Sequence, residues 1–510
     1  MDESLVYKLA GVGAYLLILI GIGVVASRRM GDMRDYFAGG KRLGFWSVAF
    51  SARATGESAW LLLGLTGMGA ALGLQAMWVV LGEVLGVAGA WLLLARPFKR
   101  LTDRYDSITV PDYLESRFGA TTPTLRLVAA GALVVFVTIY VSAQIDATGT
   151  AFESFLGIDY YTGAVVGFAV VLAYITTGGF VAVVWSDVFQ GTLMFFGLVA
   201  LPIVGTVMAG GPGAVTASLA AIDPALLTFG GGADGWSALE VAGVISLTLI
   251  GLGFLGSPQI FVRFISLKGE GELRKGSVVA LVWTLLADSG AVFTGMVGRA
   301  LLTGPDDPLS TLGNNGESVL PMLVEHALPL LLVGLYIAVV LSAIMSTVDS
   351  LLVVAGSAAV RDVWQKVLHP EVPESALIGR SRKMTFALAL AALAVALTVA
   401  VTTPDRTIFW FVIFGWSGIA ATFCPTIILS LFWRGFTGRG ALAAMVVGFA
   451  GVPLFKFAAP LLPEAGPFFA ALGELPPAFL LSALAGVIVS RLDPIGPPAA
   501  AAAELDDAHR

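Results

Sequence analysis

Oxygen-bearing side chains recur at helical spacing inside stretches that are otherwise apolar. In Leu341-Ser342-Ala343-Ile344-Met345-Ser346-Thr347-Val348-Asp349-Ser350, positions 343, 346 and 347 fall at i, i+3 and i+4 and share one helix face. The Ala343 carbonyl and the Ser346 and Thr347 hydroxyls offer three oxygens there. Ala54 and Glu57, also i and i+3, lie in Ser51-Ala52-Arg53-Ala54-Thr55-Gly56-Glu57-Ser58-Ala59-Trp60, a small, polar and charged cluster between apolar runs. If the helix breaks there, their carbonyls are no longer used by it. Oxygens without nitrogen or sulfur suit a hard cation such as sodium. The rival reading is that the hydroxyls bond back to their own helix.

Charged side chains extend the pattern. Asp187 and Asp349 are costly in a membrane unless they meet a cation, or unless Asp187 caps a helix end in water. Glu83, Asp146 and Asp288 are further carboxylates in apolar segments, each a candidate by default, and Arg53 is placed to pair with Glu57 at i, i+4. The single cysteine, Cys424, excludes a disulfide framework and a cysteine metal cluster, and three histidines leave little room for a histidine metal site. With no nucleophile–base set and no P-loop, neither an enzyme nor an ATP-driven pump is expected. Nothing calls for nucleic acid.

The elements that carry these residues are membrane helices. Of 510 residues 57% are hydrophobic and 13% charged, about half the charged share of a soluble domain. A spanning helix needs about 20 apolar residues, and thirteen such segments are expected: 5–27, 44–70, 73–95, 124–150, 158–182, 185–209, 239–262, 276–302, 330–360, 380–402, 407–433, 438–460 and 473–491. The first lacks a basic n-region and reads as a retained span rather than a signal peptide. With the N-terminus outside and the C-terminus inside, most of the 29 lysines and arginines, including Arg263, Lys268, Arg274 and Lys275, fall in cytoplasmic loops. The loop 304–329 contains an amphipathic run, Ser318 to Leu328, that either lies on the membrane surface or covers a pathway. The Pro- and Ala-rich, then acidic tail after Leu492 reads as disordered.

Two of the thirteen segments should break. The second carries the Arg53–Glu57 cluster, and the seventh reads Ile250-Gly251-Leu252-Gly253-Phe254-Leu255-Gly256-Ser257-Pro258. Interrupted helices in matching positions of two halves point to an inverted-repeat transporter with its site at the midplane.

Specific motifs then carry a resemblance. They are Asp35-Tyr36-Phe37-Ala38-Gly39-Gly40-Lys41-Arg42-Leu43-Gly44-Phe45-Trp46, Thr138-Ile139-Tyr140, Gly178-Gly179-Phe180 with Trp185-Ser186-Asp187, Gly256-Ser257-Pro258 with Arg263-Phe264, the 341–352 segment and Leu431-Phe432-Trp433. Together they resemble the sodium/solute symporter family, and within it the sodium/proline symporters, over roughly residues 5–490. The resemblance implies an all-α polytopic membrane protein with a LeuT-like inverted five-plus-five helix repeat, one extra helix before and two after. The expected units are 1–43, a first repeat over 44–210, a loop over 211–238, a second repeat over 239–433, two peripheral helices over 434–492 and the tail 493–510.

It implies sodium-coupled import of a small organic solute, most readily L-proline or another amino acid, across the cytoplasmic membrane, with no oligomer required. Sodium is assigned to Ala54, Glu57, Ala343, Ser346 and Thr347, and a second cation to Asp187, Ser346, Asp349 and Ser350. The solute is assigned to Gly56, Ser58, Trp60, Tyr140, Phe254, Pro258 and Ser350. Three departures from the sodium/proline pattern bear on the solute: Gly56 stands for an aspartate, Ile250 for a tryptophan and Phe254 for a tyrosine. A different carboxylate-bearing solute, a proton-coupled carrier working through Glu57, Asp187 and Asp349, and a transporter-like sensor are the alternatives.

Overall fold

The computed structural model describes residues 3–27, 39–119, 123–175, 180–231, 235–373, 376–497 and 501–509. Asp35 to Ala38, Gly178 and Gly179 of the motifs, and Arg28, Arg29 and Arg34 among the basic residues, lie outside them. The described chain is helical, in the order α1 Glu3–Ser27, α2 Phe45–Ala59, α3 Thr66–Leu72, α4 Met77–Ala88, α5 Ala95–Arg104, α6 Val110–Phe118 and α7 Thr124–Leu156. There follow α8 Tyr160–Ile175, α9 Phe180–Met208, α10 Pro212–Ile222, α11 Ala238–Leu249, α12 Pro258–Ser266, α13 Leu273–Leu302, α14 Val319–Ala327 and α15 Leu330–Ser357. The last are α16 Leu377–Thr402, α17 Ile408–Phe432, α18 Gly438–Pro453, α19 Gly466–Leu472, α20 Leu475–Leu492 and α21 Ala501–His509.

Among the described residues eleven segments are long and apolar enough to cross a bilayer, against the thirteen expected. The difference has two sources. The expected spans 44–70 and 73–95 fall in one helical run of 60 residues, Phe45–Arg104, about 90 Å if straight and so far longer than a bilayer core is thick. That run turns at Gly73, whose φ of 58° ends α3. The expected span 158–182 is represented by α8, 16 residues long.

The centre of the bundle is α2, which packs against α9, α13 and α15, while α7 packs against α15 and α17. The helices approach closely where glycines cross. A Cβ at Gly251 would lie 1.9 Å from the Gly82 carbonyl oxygen, and one at Gly82 1.9 Å from that of Thr248. Small residues replace side-chain interlocking here, as is usual between membrane helices. At one end, Leu43 bonds through both backbone groups to the strand-like stretch after α12: its N–H donates to Ser266 (3.0 Å) and its carbonyl accepts from Lys268 (2.9 Å).

Two expectations about loops are revised. The run from Ser318 does not lie out on the surface: α14 buries Val319, Leu320, Leu323 and Val324, and Glu317 accepts from the Ile408 and Phe409 amides at 2.9 and 3.0 Å, capping α17. Within the tail expected to be disordered, Ala501–His509 is helical and docks on α5. Its alanines favour helix, and its acidic groups find partners in Arg104, Tyr105 and Arg434.

Candidate functional site

Both expected breaks are present. Within α2, Ser58 adopts φ 52° and ψ −167°, so the helix stops and restarts there. The freed groups find partners from α7: the Ala59 amide donates to Gln144 Oε1 (3.0 Å), and Tyr140 Oη and Gln144 Nε2 donate to Ser58 Oγ (3.4 and 3.3 Å). In the seventh expected span, α11 gives way to a 3-10 turn over Ile250–Leu255, and Pro258 opens α12. Trp416 Nε1 donates to the Ile250 carbonyl at 3.0 Å and Ser257 Oγ to that of Gly253 at 2.5 Å. Every carbonyl named is satisfied inside the protein, as a break at membrane depth requires.

The two breaks face each other. A Cβ at Gly56 would lie 2.7 Å from Phe254 Cε1. Phe254 packs on Trp416 with ring centroids 5.0 Å apart, and Trp416 lies edge-on to Tyr140 at 6.4 Å. Trp60 Nε1 donates to the Gly56 carbonyl at 3.3 Å. Of the residues assigned to the solute, Gly56, Ser58, Trp60, Tyr140 and Phe254 are thus brought together. Pro258 and Ser350 are not part of that group. Pro258 lines a small cavity of about 20 Å³ with Leu133, Val262 and Val353, and Ser350 joins the charged group below.

The residues assigned to sodium come from α2 and α15. Ser346 Oγ donates to the Ala54 carbonyl (2.9 Å) and to that of Ala343 (3.2 Å), and Thr347 Oγ1 donates to the Thr55 carbonyl at 3.2 Å. The hydroxyls therefore bridge to the other helix, and back-bonding is only part of their role. The Glu57 side chain points elsewhere: it is fully buried and pairs with Arg53, as the spacing suggested.

Asp187 is not at a water-exposed helix end; it is fully buried in α9. It accepts from Ser51 Oγ at 2.5 Å and from Arg263 Nη2 at 2.9 Å. Arg263 Nη2 also donates to Ser350 at 2.6 Å, and Ser350 Oγ donates to Asp349 at 3.3 Å. A side chain's positive charge therefore lies among the residues assigned to a second cation, while Ser346 bonds toward Ala54 instead. Arg263 is fully buried on α12 and is no loop residue. Its sequence signal was present, one turn past Pro258 in a half-helix, but a count of basic residues by loop places it in water.

The other intramembrane carboxylates divide. Asp146 accepts from Tyr160 Oη at 2.5 Å and from Arg406 Nε at 3.0 Å, near the capped end of α17. At the opposite end Arg126 and Arg361 share Asp112, at 3.0 and 2.6 Å, tying α6 to α7 and to the extension of α15. Glu83 and Asp288 lie with Glu57 around Arg53.

The model of the sodium:solute symporter family matches residues 36–448. The high-affinity proline transporter PutP of Bacillus subtilis (strain 168) is 36% identical over 439 residues, 84% of this chain and 88% of that protein. The osmoregulated proline transporter OpuE of the same organism is 33% identical over 482 residues, 94% of each. The sodium/proline symporter of Escherichia coli (strain K12) is 31% identical over 443 residues, 87% of this chain and 86% of that one. Among solved structures, that of a Na+-coupled sialic acid symporter superposes with a TM-score of 0.78 at 18% identity, covering 96% of this chain and 98% of its own. MhsT in complex with L-phenylalanine gives 0.52 at 17%, covering 87% and 97%. These likenesses show a LeuT-like fold.

Proposed function

Because the chain belongs to the sodium:solute symporter family, we propose that it imports a small organic solute, L-proline first among the candidates, by coupling it to inward sodium flow. One observation carries this reading: near the break in α2, the Ser346 hydroxyl oxygen lies within hydrogen-bond distance of both the Ala54 carbonyl of α2 and the Ala343 carbonyl of α15. Sodium fits such a set, which is made wholly of neutral oxygens on α2 and α15. In this reading Ala54, Glu57 (through its carbonyl), Ala343, Ser346 and Thr347 hold the ion. Binding it trades the bonds from Ser346 and Thr347 to α2 for ion contacts and fixes α2 against α15. That completes the neighbouring group of Gly56, Ser58, Trp60, Tyr140 and Phe254. The half-helix restarting after Ser58 directs its N-terminal dipole at an anionic group such as a carboxylate. The solute then closes one end and the repeats rock to release both on the other side, with the N-terminus outside and the C-terminus inside. The membrane is the cell's cytoplasmic membrane.

A second reading rests on Phe254. Its ring occupies the space beside Gly56, so an aspartate side chain there would collide with it. A pocket without that carboxylate or the tyrosine hydroxyl selects by different contacts, and another small carboxylate-bearing solute is the alternative. A further cation beside Asp187 and Asp349 would first have to displace Arg263.

The test is radiolabelled L-proline uptake into proteoliposomes under an inward sodium gradient, then with potassium in place of sodium. Sodium-dependent uptake abolished by Thr347→Val is the expected result. Uptake that persists unchanged in potassium refutes sodium coupling. No proline uptake, with sodium still raising thermal stability, transfers the reading to another carboxylate-bearing solute.

A further inference from the structure

One group of charged side chains takes no part in the coupling described. Glu57 of α2, Glu83 of α4 and Asp288 of α13 each direct a carboxylate oxygen to within 4.8 Å of the other two. All three residues are fully buried. The four carboxylate oxygens of Glu83 and Asp288 have no hydrogen-bond partner among the described residues. Among the described residues the cation facing them is Arg53, itself 1% exposed, which pairs with Glu57 and stands 3.7 Å from Glu83. Arg53 Nε also lacks a hydrogen-bond partner. The rings of Phe254 and Trp283 flank the guanidinium, 4.6 and 5.7 Å from its carbon.

Ionised, three carboxylates and one guanidinium leave two net negative charges in a dry interior, where unpaired charge is very costly. A cation with oxygens at about 2.4 Å sets neighbouring ligands about 3.4 Å apart and opposite ligands about 4.8 Å apart. The three carboxylate oxygens lie within the larger of these spacings of one another.

We propose that Glu57, Glu83 and Asp288 form a buried site for a hard inorganic cation, separate from the oxygens of Ala54, Ala343, Ser346 and Thr347. A divalent cation cancels both surplus charges and sodium cancels one; the oxygen chemistry is shared. Glu57 belongs to the segment that breaks, so an ion there ties α4 and α13 to the break.

The test needs no transport, so its result is independent of the uptake assay. Purified full-length protein in detergent is unfolded thermally across titrations of sodium, calcium or magnesium chloride, with choline chloride holding ionic strength constant. In a Thr347→Val background, which impairs the proposed sodium set, stabilisation by one of these ions persists. Adding Asp288→Asn or Glu83→Gln raises the concentration required by roughly tenfold or more. Response to sodium alone identifies a monovalent site, and response to calcium or magnesium a divalent one. If no ion stabilises the Thr347→Val protein, or if the added variants titrate like their parent, the proposal is overturned. Should Asp288→Asn fail to fold, Glu83→Gln gives the same reading.

Discussion

Ser58 holds a backbone that only glycine adopts without strain, φ 52° with ψ −167°. Its hydroxyl accepts from Tyr140 and Gln144. In an ordinary helix interior alanine is more stable than glycine by about 1 kcal/mol. At position 58 the order should invert: Ser58→Gly releases the strain, whereas Ser58→Ala keeps it and still loses the hydroxyl. A difference of about 1–2 kcal/mol in favour of glycine is expected, read from thermal unfolding of the two variants, with solute affinity lowered in both. The Asp187–Arg263 pair offers a second test. Asp187→Asn strands a buried guanidinium and should cost about 3–5 kcal/mol, while the double variant with Arg263→Gln recovers part of the loss. Equal stability of the single and double variants would show that the charge is compensated elsewhere.

Among elements, the crossing of α4 with α11 and the 3-10 turn after it depends on missing side chains. Gly251→Ala brings a Cβ to 1.9 Å from a backbone carbonyl that cannot move aside, and a loss of about 3 kcal/mol is expected. Gly243→Ala, within α11 itself, meets nothing within 4 Å and should be neutral or stabilising. The loop before α14 responds to pH. Burial pushes the Glu317 carboxyl up to about 7, although the amides of Phe409 and Ile408 favour its charged form. A raised value means that docking is strongest below about pH 4.5 and weakens as pH rises through about 7. Hydrogen exchange at the Ile408 and Phe409 amides should therefore speed up from pH 5 to pH 8 beyond its intrinsic rate, and Glu317→Gln should remove the excess. A flat profile in the parent protein would refute this.

For the whole molecule, coupling is reciprocal: sodium must raise solute affinity by the factor by which solute raises sodium affinity. Binding isotherms of each in the presence and absence of the other check that equality, and Thr347→Val should bring both factors toward one. Much of this architecture could be read from the chain. The positions of both breaks followed from Gly, Pro and charge inside apolar runs, and the face shared by residues 343, 346 and 347 followed from spacing. What escaped was partnership across helices. Nothing in linear order sets Arg263 beside Asp187, or Glu83 and Asp288 beside Arg53, because these contacts depend on how distant helices cross. The helical tail was misread because composition weighs prolines and acids without knowing that Arg104 and Arg434 wait for them.

The backbone pair at Leu43 and Leu267 has a mechanical consequence. Two hydrogen bonds pin the start of one interrupted helix to the finish of the other. Such a pin resists separation yet permits rotation, like the rivet of a pair of scissors. Displacement then grows with distance from the rivet: a swing of about 10° moves groups across a bilayer core of about 30 Å by about 5 Å. The far tips of the two blades would travel most, while the riveted corner stays nearly still.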